Sequence, residues 1–289
     1  MMNDLAMEIR SLADTDFDTL YEAFARAFAD YEIHPGREDL RKMLRRRGFA
    51  PELSFAAFDG ERIAAFTFNG IGRHDGLPTA YDTGTGTLPE YRGQGLASRI
   101  FTASIPHLQA AGIRQYLLEV LQHNPAAIAV YRKTGFEATR EFDYFGQAKS
   151  AIRIPEKCPA FPHAIRSATP DTLLRHSDFL DFRPSWQNDS DSVARAGADL
   201  IGLGLYRDDE LLGYCICEPA SGDITQLAVA PELRRQGIGS ALFRRALETI
   251  EADAIKVINT ETGCASFMRF LRSMNIPLKG RQFEMVRKL

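Results

Sequence analysis

Metal-binding and disulfide patterns are missing from this sequence of 289 residues. The six histidines form neither HxH nor HExxH, and the four cysteines form no CxxC pair, so we expect no metal site. Cys215 and Cys217 stand two apart in an apolar run and are predicted to be buried free thiols on one face of a strand. Because no disulfide framework is indicated, we expect a reducing, cytoplasmic setting.

The sequence also has no excess of one charge and no long apolar run. There are 35 basic and 38 acidic residues, for a formal net charge of −3, so a basic nucleic-acid surface is not expected. No apolar run reaches the roughly 18 residues of a membrane helix, and the acidic N-terminal segment lacks the apolar stretch of a secretory signal. We therefore expect a globular protein, a monomer or homodimer, without nucleic-acid or membrane partners.

What the sequence does contain is an internal repeat of domain length. "EIRSLADTDFDTL" begins at Glu8, and the similar "AIRSATPDTL" begins at Ala164. Each is followed by a hairpin signal, a strand, a glycine segment, a helix, another strand and another helix. The prolines in "GQAKSAIRIPEKCPAFPH" indicate a connector. We predict one domain over residues 1–146, a linker over 147–164 and a second domain over 165–289.

The glycine segments are "PEYRGQGLA" (89–97) and "PELRRQGIG" (231–239). In each, glycines allow a tight turn from a strand into a helix, whose first N–H groups have no partner within the helix. Such donors and the positive end of the helix dipole suit a phosphate. The spacing matches neither GxxxxGK[ST] nor GxGxxG, so a nucleotide P-loop and a dinucleotide site are not expected.

These residues resemble a known family. R-x-x-G-x-G/A between a strand ending in proline and a helix resembles the coenzyme-A pyrophosphate loop of the GNAT acetyltransferase superfamily. "NPAAIAVYRKTGF" resembles its second signature at Asn124, Ala127, Tyr131, Gly135 and Phe136. The resemblance implies an α/β fold with two tandem GNAT-like domains, each a mixed, splayed, mostly antiparallel sheet flanked by helices.

The resemblance implies an N-acetyltransferase that moves an acetyl group from acetyl-CoA, its cosubstrate, to a small-molecule or peptide amine by direct attack. In the first half, the residues expected to bind acetyl-CoA are Thr85, Thr87, Leu88, Arg92, Gly93, Gln94, Gly95, Leu96, Ala97 and Asn124. In the second half, they are Val229, Arg234, Arg235, Gln236, Gly237, Ile238, Gly239 and Ser240.

Within the first half, the resemblance implies roles in the reaction. Tyr131 would protonate the departing thiolate, and a backbone N–H of Thr87 or Leu88 would hold the thioester oxygen. An amine of the lysine type must lose a proton before it attacks. Asp82 and Glu119 are the two candidate bases, and a chain of water molecules is the competing explanation.

Candidate residues for the acceptor site lie in both halves of the sequence. Tyr31, His34, Asn69, His74 and Tyr81 are candidates in the first half, where ordinary loop residues are an equal explanation. In the second half, the single tryptophan, Trp186, lies in a polar loop. It either lines a pocket or anchors the loop on the core.

The second half departs from the family pattern. Leu271 stands where Tyr131 stands, and Cys264 stands where Asn124 stands, so the expected acid is missing. Asp223 precedes the second loop much as Asp82 precedes the first. The half either binds acetyl-CoA with slow turnover or serves as a structural domain. An acyl-CoA-binding sensor or interaction module with little turnover is the alternative for the whole chain.

Overall fold

The computed structural model describes residues 7–30 and 35–289. In chain order, the elements before the connector are β1 (Glu8–Ser11), α1 (Phe17–Ala27), α2 (Arg37–Arg47), β2 (Phe55–Asp59), β3 (Arg62–His74), β4 (Leu77–Thr87), α3 (Leu96–Ala110), β5 (Gln115–Leu121), α4 (Pro125–Lys133) and β6 (Glu137–Ala148). After it come β7 (Ala164–Ala168), α5 (Pro170–Leu173), α6 (Ser190–Ala196), β8 (Ile201–Arg207), β9 (Glu210–Glu218), β10 (Asp223–Val229), α7 (Ile238–Thr249), β11 (Ala254–Glu261), α8 (Ala265–Ser273) and β12 (Leu278–Lys288).

The chain forms two compact units. The first consists of the described residues up to Val120, with Asn124–Thr139 and Glu284–Leu289. The second consists of Leu121–His123 and Arg140–Phe283. The boundaries predicted from sequence instead place residues 140–146 in the first domain and residues 284–289 in the second. The division of function between the two halves stays a prediction.

Each unit thus takes its last strand from the other half of the sequence. In the second unit, β6 pairs antiparallel with β11, from Ala254 opposite Ala148 to Glu261 opposite Phe142. In the first unit, the strand order is β1-β2-β3-β4-β5 followed by the end of β12. There the backbone N–H of Leu289 donates to the carbonyl of Arg114 at 2.9 Å.

Local signals explain the hairpins of the first unit. The turn at Asp59-Gly60 joins β2 to β3, and Gly60 has a φ of +61°. A second turn joins β3 to β4, where Asp75 and Gly76 both have positive φ, at +53° and +73°. Two such residues in succession are typical of the type I′ turn, whose twist matches that of the flanking strands. The result is a long β3–β4 ribbon at the centre of the unit.

Both sheets open where the parallel strands meet. β4 and β5 pair only from Thr79 to Tyr81, with partners from Gln115 to Leu117, and β10 pairs with β11 at one position, Asp223 opposite Lys256. Beyond these points the strands separate. The predicted α/β fold with mixed, splayed, mostly antiparallel sheets in tandem is confirmed.

A bulge marks the start of each opening. In β4, Thr83 is an extra residue between the pairs Phe68–Gly84 and Asn69–Asp82. In β10, Thr225 is the extra residue, between the partners of Ile216 and Cys217. A bulge bends a strand and redirects its side chains, so these threonines fix which residues face the openings.

Large apolar side chains fill the interior of each unit. In the first, the buried face of α1 packs on β3 through Phe24, whose ring lies near those of Phe66 and Phe68. In the second, Leu242 and Phe243 of α7 are fully buried against β8 and β9. Among the helices that the structure describes, none has the length and apolar character needed to span a bilayer.

Candidate functional site

The glycine segment of the first unit forms an open loop at a helix start. Gly93 and Gly95 have φ values of +78° and +69°, which side chains rarely adopt, and a Cβ at either would meet no atom of the described residues within 4 Å. α3 begins directly afterwards, and no described side chain caps its N-terminus. The first N–H groups of α3 are therefore available to an anion. This geometry fits a phosphate.

The arginine of this segment points back toward the sheet. Arg92 donates from Nε to the carbonyl of Thr87 at 3.3 Å and from a terminal nitrogen to the carbonyl of Ala27 at 3.0 Å. Its other terminal nitrogen lies 2.7 Å from a carboxylate oxygen of Asp30. Arg92 therefore ties the loop to the end of β4 and to the end of α1.

Arg234 does the same in the second unit. Its guanidinium donates to the carbonyls of Val229 and Phe179 at 3.2 Å and 2.9 Å and lies 3.0 Å from the carboxylate of Asp181. The loop residue after it differs: Arg235 has a φ of +65° where the first unit has Gly93. The left-handed conformation is thus required at this position of both loops.

The two backbone N–H groups proposed for the thioester oxygen point to opposite edges of the strand before the first loop. Leu88 donates its N–H to the carbonyl of Ala64 in β3, at 3.0 Å. Because successive residues of a strand direct their N–H groups to opposite edges, the N–H of Thr87 points to the edge that β5 leaves. Of the two candidate donors, Leu88 is already bonded and Thr87 faces the opening.

A partly buried carboxylate lies at the same opening. The hydroxyl of Tyr131, on α4, donates to Oδ2 of Asp82 at 3.2 Å. Oδ2 also accepts from the hydroxyl of Thr85 at 2.8 Å, and Oδ1 accepts from the N–H of Gly84 at 2.9 Å. The structure therefore brings together the predicted acid and one of the two predicted bases, which are 49 positions apart in sequence.

Burial dominates the titration of this cluster. Burial raises the pKa of Asp82 above its ordinary value of 3.8, and its hydrogen bonds and the charge of Arg47 only partly oppose that shift. Nearby, the hydroxyl of Tyr81 donates to Oε2 of Glu119 at 3.1 Å. Burial, and then the Glu119 charge, raise the pKa of Tyr81 well above 10. Both candidate bases thus accept a tyrosine hydroxyl.

The remaining predicted residues of the first unit lie in several environments. Asn124 caps α4, with its side-chain oxygen accepting from the N–H of Ala127 at 3.1 Å. Asn69 is fully buried and donates to the carbonyl of Leu53 at 2.7 Å. His74 is also buried. Tyr31 and His34 lie outside the described residues.

Trp186 occupies the interior of the second unit. Its side chain is 1% exposed, and its carbonyl accepts from the hydroxyl of Ser192 at 2.6 Å. Arg195 lies over its ring, 5.7 Å from the centroid. This is the position of a loop anchor, the alternative that the sequence left open, and its part in binding an acceptor stays a prediction.

The second unit has the same frame with different side chains. The N–H of Ile276 bonds to the carbonyl of Leu271 at 3.1 Å, as that of Phe136 bonds to Tyr131 at 3.0 Å. Leu271 therefore occupies the tyrosine position, and it is fully buried. Cys264 precedes α8 without a side-chain capping bond among the described residues.

Aligning the two bulges shows that the carboxylates Asp82 and Asp223 are offset by one residue. Thr83 and Thr225 correspond, so Ile224 stands at the position of Asp82, and Asp223 lies one residue earlier. Asp223 is buried and its Oδ2 accepts from the hydroxyl of Thr225 at 3.0 Å. The splayed strands of the second unit thus carry an aliphatic residue where the first unit carries its carboxylate.

A cavity of about 550 Å³ lies beside the second loop. Seven of the eight residues predicted from sequence line it, Gln236 being the exception. Further residues outside that prediction also line it, among them Pro155 and Lys157 of the connector and Arg269 and Phe270 of α8. The basic side chains give the cavity a positive wall suited to an anion.

The connector is held against this loop. A Cβ at Gly237 would lie 2.7 Å from the backbone carbon of Cys158. Arg244, on α7, donates to the carbonyl of Pro155 at 3.2 Å and lies 3.5 Å from the Cys158 sulfur. The second loop is therefore partly covered by its own chain. Among the described residues, no group of three or more His, Cys, Asp or Glu side chains is arranged to hold a metal.

Comparison with known proteins agrees with this geometry. The model of the acetyltransferase (GNAT) family matches residues 17–136 and again 168–267. Mycothiol acetyltransferase of Thermobifida fusca is 33% identical over 145 residues, which are 46% of this chain and 42% of that protein. N-alpha-acetyltransferase 30 of Schizosaccharomyces pombe is 30% identical over 105 residues, 36% of this chain and 70% of that protein. The chain thus spans less than half the length of the mycothiol acetyltransferase.

Solved structures share the fold over the whole chain. A tandem GNAT protein from the clavulanic acid biosynthesis pathway has a TM-score of 0.74 at 17% identity, covering 98% of each chain. A GCN5-related N-acetyltransferase from Sphaerobacter thermophilus has a TM-score of 0.68 at 16% identity, covering 98% of this chain and 95% of the other. The two family matches, the repeated loop and the repeated splayed sheet show that this chain belongs to the acetyltransferase (GNAT) family.

Proposed function

We propose that the protein is an acetyl-CoA-dependent N-acetyltransferase and that its first unit is the catalyst. The observation that carries this proposal is the 3.2 Å hydrogen bond from Tyr131 to Asp82 at the opening of the first sheet. A proton donor and a partly buried carboxylate stand together there, beside the Thr87 N–H and the glycine loop. Direct transfer to an amine needs these groups.

The α3 N-terminus and the loop would bind the pyrophosphate of acetyl-CoA. Arg92 would support that binding by fixing the shape of the loop. The N–H of Thr87 would donate to the thioester oxygen as negative charge develops there. Asn124 would hold the pantetheine arm while it caps α4. These contacts would place the thioester carbon at the opening between β4 and β5.

Two side chains would then move the protons. As the amine nitrogen bonds to the acetyl carbon, Asp82 accepts the proton that the nitrogen loses. As the carbon–sulfur bond breaks, Tyr131 donates its proton to the departing sulfur. Asp82 returns a proton to Tyr131 along their hydrogen bond, which restores both groups. Glu119 with Tyr81 is the second candidate base, and a water chain the third.

The acceptor would be a small-molecule or peptide amine. The curated relatives are named for a small molecule, mycothiol, and for peptide N-alpha acetylation. Tyr81, on β4, and Asn69, on the neighbouring strand β3, would border the acceptor site from within. We propose a cytoplasmic protein that works as a monomer or homodimer.

The test is release of free thiol from acetyl-CoA with a panel of amines. We expect Tyr131→Phe to lower turnover by about 10² to 10⁴, with the affinity for acetyl-CoA unchanged. Tyr206→Phe is the matched control, because Tyr206 lies on β8 of the second unit. Unchanged turnover in Tyr131→Phe would remove this tyrosine from the mechanism.

The second candidate function is an acyl-CoA-binding sensor with little turnover. It is favoured by one observation, the presence of Leu271 at the tyrosine position of a unit that keeps its loop and cavity. Under that function, acetyl-CoA binds in calorimetry but no amine releases thiol. Thiol release that depends on Tyr131 would exclude it for the first unit.

A further inference from the structure

The second unit contains two neighbouring cavities of very different size. The outer one, beside the loop, measures about 550 Å³. The inner one lies between the separated strands β10 and β11, where an acyl group would have to react, and measures about 30 Å³. That volume holds a few water molecules at most. The inner cavity therefore has no room for a thioester and the end of a pantetheine arm.

Phe267 and Leu227 stand between the two cavities. Together with Asp181 they line both. Phe267 is held on two sides, by Phe182 in an edge contact and by Phe270 in a stacked contact, each with ring centroids 6.1 Å apart. The partly buried ring thus has an aromatic neighbour on two sides at the place where the two cavities meet.

The first unit has small residues at the same two positions. Phe267 follows Cys264 by three residues, as Ala127 follows Asn124, and both lie in the first turn of their helices. Leu227 precedes Pro231 by four residues, as Thr85 precedes Pro89. An alanine and a threonine therefore stand in the first unit where the second has a phenylalanine and a leucine.

We infer that Phe267, assisted by Leu227, closes the acyl channel of the second unit, so that its cavity takes the nucleoside diphosphate part of coenzyme A and excludes the thioester from the sheet. This inference rests on the proposed function of the loops as coenzyme-A sites. Lys157, Arg235 and Arg269 line the outer cavity and would face the phosphates. The second unit then recognises a ligand feature that CoA, acetyl-CoA and ADP share.

The experiment measures ADP, CoA and acetyl-CoA binding to the second unit by calorimetry. The whole chain of 289 residues carries Ala97→Glu, which places a carboxylate at the first loop and blocks that site. With Phe267 present, we expect the three affinities to agree within about threefold. Phe267→Ala should raise CoA affinity about tenfold and leave ADP affinity unchanged. Phe267→Leu, which keeps an apolar contact with Phe182, should give a smaller rise.

Three results would overturn the inference. The first is that CoA binds more than tenfold tighter than ADP while Phe267 is present. The second is a ratio of CoA affinity to ADP affinity that is unchanged in both Phe267 variants, and the third is no binding of ADP at all. The reciprocal change, Ala127→Phe in the otherwise native chain, should abolish thiol release while ADP still binds the first unit. Thiol release by the native chain tests the proposed function separately. If the native chain releases thiol and any of the three results is also found, this inference is rejected and the proposed function stands.

Discussion

Arg234 repeats in the second unit the three contacts that Arg92 makes in the first. Each guanidinium bonds to the carbonyl five residues before it, to the carbonyl of Ala27 or Phe179, and to an aspartate. The arginine of the family pattern is thus part of the scaffold of the loop. The family resemblance places Arg92 and Arg234 among the residues expected to bind acetyl-CoA, and a direct contact with that ligand stays a prediction.

Replacing Arg92 by lysine should therefore weaken acetyl-CoA binding through the loop. Lysine keeps the charge but cannot reproduce three divergent bonds from one planar group. We expect the KM for acetyl-CoA to rise about tenfold, with stability lower by about 1 kcal/mol for each lost bond. Steady-state kinetics and urea unfolding measure both. Arg245→Lys, on the exposed face of α7, is the control. A raised KM with unchanged stability would instead indicate direct phosphate contact.

Asp82→Asn should lower turnover and raise the free energy of unfolding at pH 8. As the base, Asp82 contributes about 10² to 10⁴ in turnover, and the amide cannot accept a proton. Burial raises the pKa of Asp82 above 3.8, so the folded state binds this proton more tightly than the unfolded state. Stability from this group is therefore present below about pH 4 and is lost as the pH rises through the raised pKa.

The variant should consequently gain free energy of unfolding relative to the native chain at pH 8 and not at pH 4. Chemical denaturation at the two pH values measures the difference. Native turnover should also fall as the pH drops through the same raised pKa. If Asp82→Asn lost stability equally at both pH values, the hydrogen bonds of the carboxylate would outweigh its burial.

The sequence was sufficient to predict the parts of the site that depend on local backbone. Gly93 and Gly95 have the left-handed conformations that a tight strand-to-helix turn requires, and a short motif records that requirement directly. The pairing of Asp82 with Tyr131 could be expected only as a choice between two acids. It depends on the bulge at Thr83 and on where β4 leaves β5, and both are set by packing.

The sequence did not predict that each unit takes its last strand from the other half of the chain. The alternation of residues in β6 and β12 shows that each is a strand, but the pattern contains no information on which neighbour it pairs with. The cavity wall formed by Pro155 and Lys157 was missed for a related reason. Their segment has the composition of a connector, and only the fold places it against the second loop.

Residues 284–289, the end strand of the first unit, make bonds that stabilise this unit. Glu284 is 1% exposed; its carboxylate accepts from the hydroxyl of Thr139 at 3.0 Å and lies 3.7 Å from Nε2 of His74. Arg287 donates to the carbonyl of Thr134 at 2.6 Å, at the end of α4. Removing residues 284–289 deletes all of these bonds from the first unit.

We expect this deletion to lower protection from hydrogen exchange in β5 and α4 before it affects β8 and β9, because the lost contacts belong to the first unit. Exchange followed by mass spectrometry measures each segment. Lys288→Ala, a change near the end of the same strand, should leave protection close to native. Equal loss in both units would show that they unfold together.

Lys157, on the connector, is expected to contribute to phosphate binding in the second unit. Its side chain lines the cavity of the second unit with Arg235 and Arg269, so it should add to the attraction for phosphates. A charge pair at a partly exposed site contributes up to about 1 kcal/mol. In the Ala97→Glu chain, Lys157→Ala should therefore weaken ADP binding about three- to fivefold, with a larger effect at low salt. Lys157→Arg retains the charge and should bind as the native residue does. If Lys157→Ala bound ADP with native affinity at low salt, the connector would be a passive wall, and the basic residues of the loop and α8 would account for the binding.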